Sequence, residues 1–188
     1  MAAIAPFERE GLVPGRIVAG HQKLHRVATA GGEVLAEVAG SLRHGARGAE
    51  QLPAVGDWVM LRPRAGEARA LVQAVLPRRT AFVRRAAGER TVAQVLAANV
   101  DTAFLVMGLD GDFSPRRLER ALVLAWESGA QPVVLLNKAD LCHDVGGRRN
   151  EVERVAMSVP VRVIAARSSQ GLEDLSPWLQ PGRTVVLL

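Results

Sequence analysis

The sequence predicts two folds in tandem, a small closed or half-closed β-barrel followed by a parallel α/β sheet. Three observations predict it. Apolar residues alternate with period two through residues 14–76, between Gly-rich turns; beyond residue 100 the pattern becomes continuous apolar strands alternating with helices; and a polar, Arg-rich stretch lies between. With 188 residues, 48% of them apolar and 23% charged, the chain can bury both cores without disulfides or metal clips.

In the first part the predicted strands are Arg16–Ala19, Lys23–Thr29, Glu33–Ala39, Trp58–Arg62 and Arg69–Leu76. Turn signals separate them at Ala30-Gly31-Gly32, Gly45–Gly48, Pro53–Gly56 and Ala65-Gly66. Val34, Ala36 and Val38 alternate with Glu33, Leu35 and Glu37, and Val59 and Leu61 share a face opposite Trp58 and Met60. About five strands at this spacing are too few for a two-sheet sandwich and read as a barrel of the OB or SH3-like kind. Residues 77–90, with Pro77-Arg78-Arg79, Arg84-Arg85 and Ala86-Ala87-Gly88, read as a basic linker, which gives a division into 1–76, 77–90 and 91–188.

The second part opens with Thr102–Gly108, apolar throughout and therefore buried on both faces. A helix over Arg116–Ser128 follows, with Ser114 as N-cap, Pro115 at the first helical position and Gly129 as the left-handed terminator. Then come the strand Pro132–Leu136, a helix near Asn150–Ser158, the strand Val161–Ala165, a short helix near Leu172–Leu179 and the strand Thr184–Leu188. Such alternation places crossover helices on a parallel sheet and any ligand beyond the carboxyl ends of its strands.

Composition narrows the function classes. No apolar run approaches a bilayer span, and the first eleven residues carry Glu8, Arg9 and Glu10 rather than an apolar leader, so a cytoplasmic protein without membrane segments is expected. The lone Cys142 cannot form an internal disulfide, and Cys142-His143 has too few partners to read as a metal site. Residues 1–90 hold 14 Lys plus Arg against 8 Asp plus Glu, and residues 91–188 hold 10 against 11. The basic excess therefore belongs to the barrel, which points to a polyanion such as RNA, although 22 of the 24 basic residues are Arg and coding bias contributes. Candidate phosphate contacts are Arg16, Arg43, Arg47, Arg62, Arg64, Arg78 and Arg79. Trp58 reads as a buried barrel residue sooner than as a stacking platform, and His21, His25 and His44 read as surface or turn residues.

Chemistry is concentrated after the strand Pro132–Leu136, where Asn137-Lys138-Ala139-Asp140 matches Asn-Lys-x-Asp. A carboxylate at the fourth position can accept hydrogen bonds from N1–H and the 2-amino group of guanine, donors that adenine does not offer together. The lysine stem can lie over the base, and the asparagine amide can pin neighbouring backbone. With 3 Asn, 2 Lys and 7 Asp in the chain, the pattern arises by chance in roughly one such sequence in a thousand. A second loop, Ala165-Ala166-Arg167, stands where Ser-Ala-Lys is expected, and there the Ala166 N–H would face guanine O6; a helix entry capped by Ser168 or Ser169 is the alternative. Asn99 and Asp101 open the first parallel strand, where a capping, interdomain or functional role remains open. No G-x-x-x-x-G-K-[ST] cradle occurs, because neither Lys23 nor Lys138 fits it, and the barrel occupies the place where one would ordinarily precede the guanine motif.

In these features the chain resembles the circularly permuted, small-ribosomal-subunit-dependent GTPases of the RsgA/YjeQ family. The resemblance is carried by Gly56-Asp57-Trp58-Val59, Arg78 to Arg85, Gln94 to Asp101, Phe113 to Arg120, Leu136 to Leu141 and Gly182 to Leu188. It implies an OB-type barrel that binds RNA, followed by the base-binding half of a circularly permuted P-loop GTPase fold. It further implies guanine recognition by Asn137, Lys138, Ala139, Asp140, Ala165, Ala166 and Arg167, and no catalytic or metal-ligating residue within this sequence. The family pattern would start the phosphate loop after Leu188, and assigns GTP or GDP with Mg2+, and Zn2+ in a C-terminal domain, to the whole protein. The implied role is late maturation of the small ribosomal subunit through 16S rRNA, as a monomer. A non-catalytic RNA-binding module whose α/β half only supports the barrel is the alternative.

Overall fold

The computed structural model describes residues 7, 10–21, 24–64, 69–85 and 93–188. The chain divides into two compact units, Met1–Asn99 and Val100–Leu188. Lys23, the turn Ala65-Gly66 and residues 86–90 of the expected linker lie outside the described residues.

The first unit contains strands β1 (Val13–His21), β2 (Leu24–Thr29), β3 (Gly32–Val38), β4 (Trp58–Pro63) and β5 (Arg69–Val75), with a short helix α1 (Gly40–Gly45) between β3 and β4. They close into a barrel in the order β1-β2-β3-β5-β4, with β3 and β5 parallel and β1 paired to both β2 and β4. This is the OB arrangement. Strand β1 can pass close over the core because Gly15 has no side chain; a Cβ there would lie 2.6 Å from Val27 Cγ1. Ile17, Val27, Ala36, Val59, Leu61, Ala70 and Val72 fill the interior, with Leu42 of α1 packed against them.

Val59 and Leu61 share the core face of β4 as expected, and Met60 on the opposite face is fully buried beside Leu12 and Leu76. Two expectations about the barrel are corrected. His25, expected at the surface or in a turn, is buried on β2. Trp58 is 45% exposed, at the start of β4, where its register partner on β1 is Arg16 rather than a core residue.

Residues 81–98 add an antiparallel pair, β6 (Ala81–Arg85) and β7 (Ala93–Ala98), which buries Phe82, Val95 and Ala98. Part of the expected linker is therefore strand. Ala81-Phe82-Val83 is too short an apolar run to stand out between Arg78-Arg79 and Arg84-Arg85. Polar groups fasten this pair to the barrel. Asp57 is fully buried and receives Nε and Nη2 of Arg78, each at 2.7 Å, together with the Ala54 amide at 2.8 Å. The same guanidinium donates to the carbonyls of Leu52 (2.8 Å) and Glu50. Buried Asn99 adopts φ 54°, donates to Gly56 O (3.1 Å) and accepts from the Arg79 amide (3.0 Å). Gly56 (φ 90°) must be glycine, since a Cβ would lie 2.1 Å from Ala98 O.

The second unit is a four-stranded parallel sheet, in the order β10 (Val161–Val163), β9 (Gln131–Asn137), β8 (Thr102–Gly108), β11 (Val185–Leu187). Phe104, Val133, Leu135, Ile164 and Leu175 form the core of one face, where Trp178 meets Phe104 edge to face at 6.2 Å. Leu105, Met107, Val134 and Leu136 are buried on the other. Helix α2 (Pro115–Ser128) packs against β8 and β9, and α3 (Val145–Ala156) against β10. Pro115 opens α2 and Gly129 (φ 83°) ends it as expected, although the Ser114 side chain makes no capping bond. Asp101 makes a structural contact, its Oδ2 accepting the Thr184 amide at 2.8 Å just before β11 pairs with β8.

Helix α3 begins five residues earlier than the sequence pattern places it, because Asp144 caps it through the Gly147 amide at 2.8 Å. The expected helix near Leu172–Leu179 is only a 3-10 turn over Glu173–Leu175, followed by Pro177, which lacks the N–H needed to extend it.

Candidate nucleotide-base site

Strands β8 and β9 end level, with Gly108 and Asn137 as register partners. Beyond them lies the carboxyl edge where an open α/β sheet receives ligands. The Asn137 carbonyl accepts the Leu109 amide at 2.8 Å, so the chain leaving β8 is tied to the end of β9. The side chain of Asn137 ties a second pair of loops: its Oδ1 accepts the amides of Lys138 (2.8 Å) and Ala166 (3.0 Å). Asn137 thus joins the Asn-Lys-x-Asp loop to the loop after β10. The Ala139 amide reinforces that junction by donating to Ile164 O at 3.2 Å.

Lys138 sits in the left-handed region (φ 63°, ψ 38°) and turns the chain into a 3-10 turn over Ala139–Leu141. Asp140 is exposed on that turn, an acceptor with no burial to overcome. Opposite it in the pattern, Ala165 is buried and exchanges backbone bonds with Gln170, its amide donating at 3.0 Å and its carbonyl accepting at 3.2 Å. Ala166 and Arg167 stand exposed in the 3-10 turn Ala166–Ser168. Neither Ser168 nor Ser169 caps a helix; Ser168 ends this turn and Ser169 is left-handed. The Ala166 amide, expected to face guanine O6, is directed in this structure at Asn137 Oδ1.

Two acidic residues that the motif search does not single out border the site. Asp110, just past β8, pairs with Lys138 Nζ, and Asp112 pairs with Arg117 of α2 at 2.9 Å. The Lys138 ammonium, through its hydrogen bond, holds the Asp110 carboxyl below the usual carboxylate range, and in return the lysine is pushed above its ordinary value. Arg117 lowers Asp112 in the same way. The only signal available in the sequence is Gly108-Leu109-Asp110-Gly111-Asp112 at the end of a buried strand, a loop where ligands gather but without a recognisable pattern.

The basic residues expected to meet RNA separate into two groups. Arg43, Arg47, Arg62, Arg64 and Arg79 are exposed. Arg78 is engaged by Asp57 and two carbonyls, and Arg16 donates to Gly56 O and Asn99 O, both at 3.3 Å, while lying 5.6 Å from the centre of the Trp58 ring. Among the described residues no three His, Cys, Asp or Glu side chains gather to hold a metal ion.

A closed OB-type barrel preceding a parallel sheet with Asn-Lys-x-Asp at the end of its second strand is the architecture of the circularly permuted GTPases. YjeQ from Thermotoga maritima superposes with a TM-score of 0.73 at 23% identity, covering 94% of this chain and 59% of that one. YloQ, described as a circularly permuted GTPase, superposes with a TM-score of 0.67 at 21% identity over the same shares. The family model of the RsgA GTPase matches residues 75–188, and the chain belongs to that family. It is 48% identical over 194 residues to the small ribosomal subunit biogenesis GTPase RsgA of Opitutus terrae, covering 99% of this chain and 53% of that protein. It is 43% identical over 190 residues to the protein of the same name from Syntrophotalea carbinolica, covering 97% and 51%. The chain spans about half the length of these curated relatives. No helix among the described residues is long and apolar enough to cross a membrane.

Proposed function

We propose that this chain supplies the RNA-binding barrel and the guanine-recognising half of a cytoplasmic GTPase that acts in late maturation of the small ribosomal subunit. The observation that carries the nucleotide half is Asn137. One side-chain oxygen gathers the two loops that guanine recognition requires, and Asp140 is left exposed beside them with its acceptor oxygens available. In this reading Asp140 accepts from N1–H and the 2-amino group, Lys138 lies over the ring, and Ala165, Ala166 and Arg167 close the other side. The Ala166 amide then either shares its bond between Asn137 and O6 or exchanges one for the other. GTP or GDP is the ligand, with Mg2+ and the phosphate cradle belonging to the whole protein. The 188 residues contain no P-loop lysine, so phosphoryl transfer, which depends on neutralising the phosphate charge, is not assigned to them.

The deciding measurement is a titration of GDP, GTP, ADP and xanthosine diphosphate against the chain and its Asp140→Asn variant. The variant loses about two powers of ten in GDP affinity, from two hydrogen bonds to a charged acceptor, and gains affinity for the xanthine nucleotide. Equal binding of guanine and adenine nucleotides would instead favour an RNA-binding module with a purely supporting sheet.

For the barrel, Arg43, Arg47, Arg62, Arg64 and Arg79 are the proposed contacts to 16S rRNA because they are exposed, whereas Arg16 and Arg78 are half-buried. Replacing Arg43 and Arg47 with Gln is expected to lower the salt slope of RNA binding by about 0.7–0.9 for each phosphate no longer neutralised. An unchanged slope would count against this face.

A further inference from the structure

The ion pair between Lys138 and Asp110 joins residues 28 apart, both at the carboxyl edge of the sheet. Both side chains are partly open to solvent, 48% and 31% exposed, and such a pair contributes little to folding. Its consequence is orientation. A lysine ordinarily samples many rotamers, whereas here the ammonium is held at a fixed carboxylate, so the methylene stem between them is drawn out across the end of β8.

The neighbouring residues are arranged to keep it there. Gly108 lies beneath the pair, and a Cβ at that position would come within 2.5 Å of Asp110 Oδ1 and 3.6 Å of Lys138 Cδ. Asp110 Oδ1 accepts the Asp112 amide at 3.3 Å, which leaves Oδ2 for the lysine. Asp112 is in turn gripped by Arg117 of α2, through its carboxylate at 2.9 Å and its carbonyl at 2.7 Å. A chain of contacts therefore runs from a packed helix through Asp112 and Asp110 to the lysine.

We propose that Asp110 is a positioning residue for purine binding, setting the Lys138 stem in the plane on which the base stacks before any nucleotide arrives. The proposal rests on the base-site reading above. It assigns Asp110 to affinity for the purine ring and leaves guanine discrimination to Asp140. Holding the stem beforehand removes the cost of ordering one long side chain on binding, so losing the anchor weakens affinity by about threefold to tenfold.

The test is a double-mutant cycle on the chain, read as dissociation constants for GDP and IDP. Asp110→Asn should weaken both about equally and leave their ratio unchanged. In a Lys138→Met background, which keeps an apolar stem without the charge, Asp110→Asn should have no further effect. The chain has only two lysines, so the Lys138 amine can be followed directly by NMR. Its raised pKa should fall toward the ordinary lysine value in Asp110→Asn without ligand, which verifies that the pair forms in solution, while the cycle in affinity separates positioning from a merely structural contact. If Asp140→Asn abolishes guanine preference while Asp110→Asn leaves affinity and the lysine titration unaltered, this inference fails and the base site stands. It fails in the same way if Asp110→Asn weakens binding equally with and without the Lys138 charge. If the unmodified chain binds neither nucleotide, both readings fall.

Discussion

In the barrel unit the added strands are fastened by buried polar groups, whereas in the sheet unit the helices and turns are fastened by apolar side chains. Asp57 and Asn99 lie under β6 and β7 with their hydrogen bonds satisfied, while the faces of the sheet are closed by residues such as Phe104, Leu135, Leu122 and Val152. The two kinds of cohesion fail differently. An apolar contact weakens in proportion to what is removed, but a buried charge deprived of its partner is penalised beyond the loss of the attraction itself. In the sheet unit, polar groups are instead gathered at the strand ends, where Asn137, Lys138 and Asp110 hold one another near the surface.

The largest effect that would sharpen this contrast is expected at Arg78. Arg78→Met leaves the Asp57 carboxylate buried without its bidentate partner, at an expected cost of roughly 3–5 kcal/mol. Urea denaturation measures the loss, and hydrogen exchange locates it: amides of β4, β6 and β7 should exchange faster, while those of β8 and β9 keep their protection. Equal loosening of both units would break the comparison.

How far the sequence discloses such features depends on whether the cause is local. The alternation of Val59 and Leu61, the apolar run Thr102–Gly108, the Pro115 and Gly129 limits of α2 and the Asn-Lys-x-Asp loop are all set within a few residues and are legible. The burial of Met60 is not, since it depends on Leu12 and Leu76 arriving from elsewhere in the chain. Nor is the exposure of Trp58 or the burial of His25, because barrel closure decides which strand ends are covered. The β6–β7 pair is concealed by flanking arginines, and the capped start of α3 by Gly146-Gly147. In the base site the motif residues are readable in line, but Asp110 is joined to Lys138 only by the sheet.

A second prediction of intermediate size concerns Asn99. Asn99→Gly preserves access to the left-handed backbone while removing both side-chain bonds, leaving Gly56 O and the Arg79 amide without those partners. A loss of about 1–3 kcal/mol is expected. Asn99→Ala should be worse by about 1 kcal/mol, because alanine resists φ 54°. If alanine and glycine were equivalent, the backbone conformation of Asn99 would not be part of what holds β7 to the barrel.

The smallest effect concerns the one buried side-chain nitrogen or oxygen among the described residues that lacks a partner, His25 Nδ1. His25 lies on β2 at 8% exposure, and Arg43 of α1 is the charged group acting on it. Burial first, and the Arg43 charge second, push its pKa below the ordinary histidine value. The sign follows from linkage: as pH falls through about 6.5, the unfolded chain takes up a proton that the folded barrel resists, so folding weakens on acidification until the lowered native pKa is reached. The melting temperature of the unmodified chain should therefore decline as pH falls below about 6.5, the ordinary histidine value. His25→Gln should flatten that slope, and Arg43→Gln should reduce it by relieving the repulsion. A slope that persists unchanged in His25→Gln would mean that the acid sensitivity arises elsewhere and that the barrel accommodates this unpartnered nitrogen without consequence.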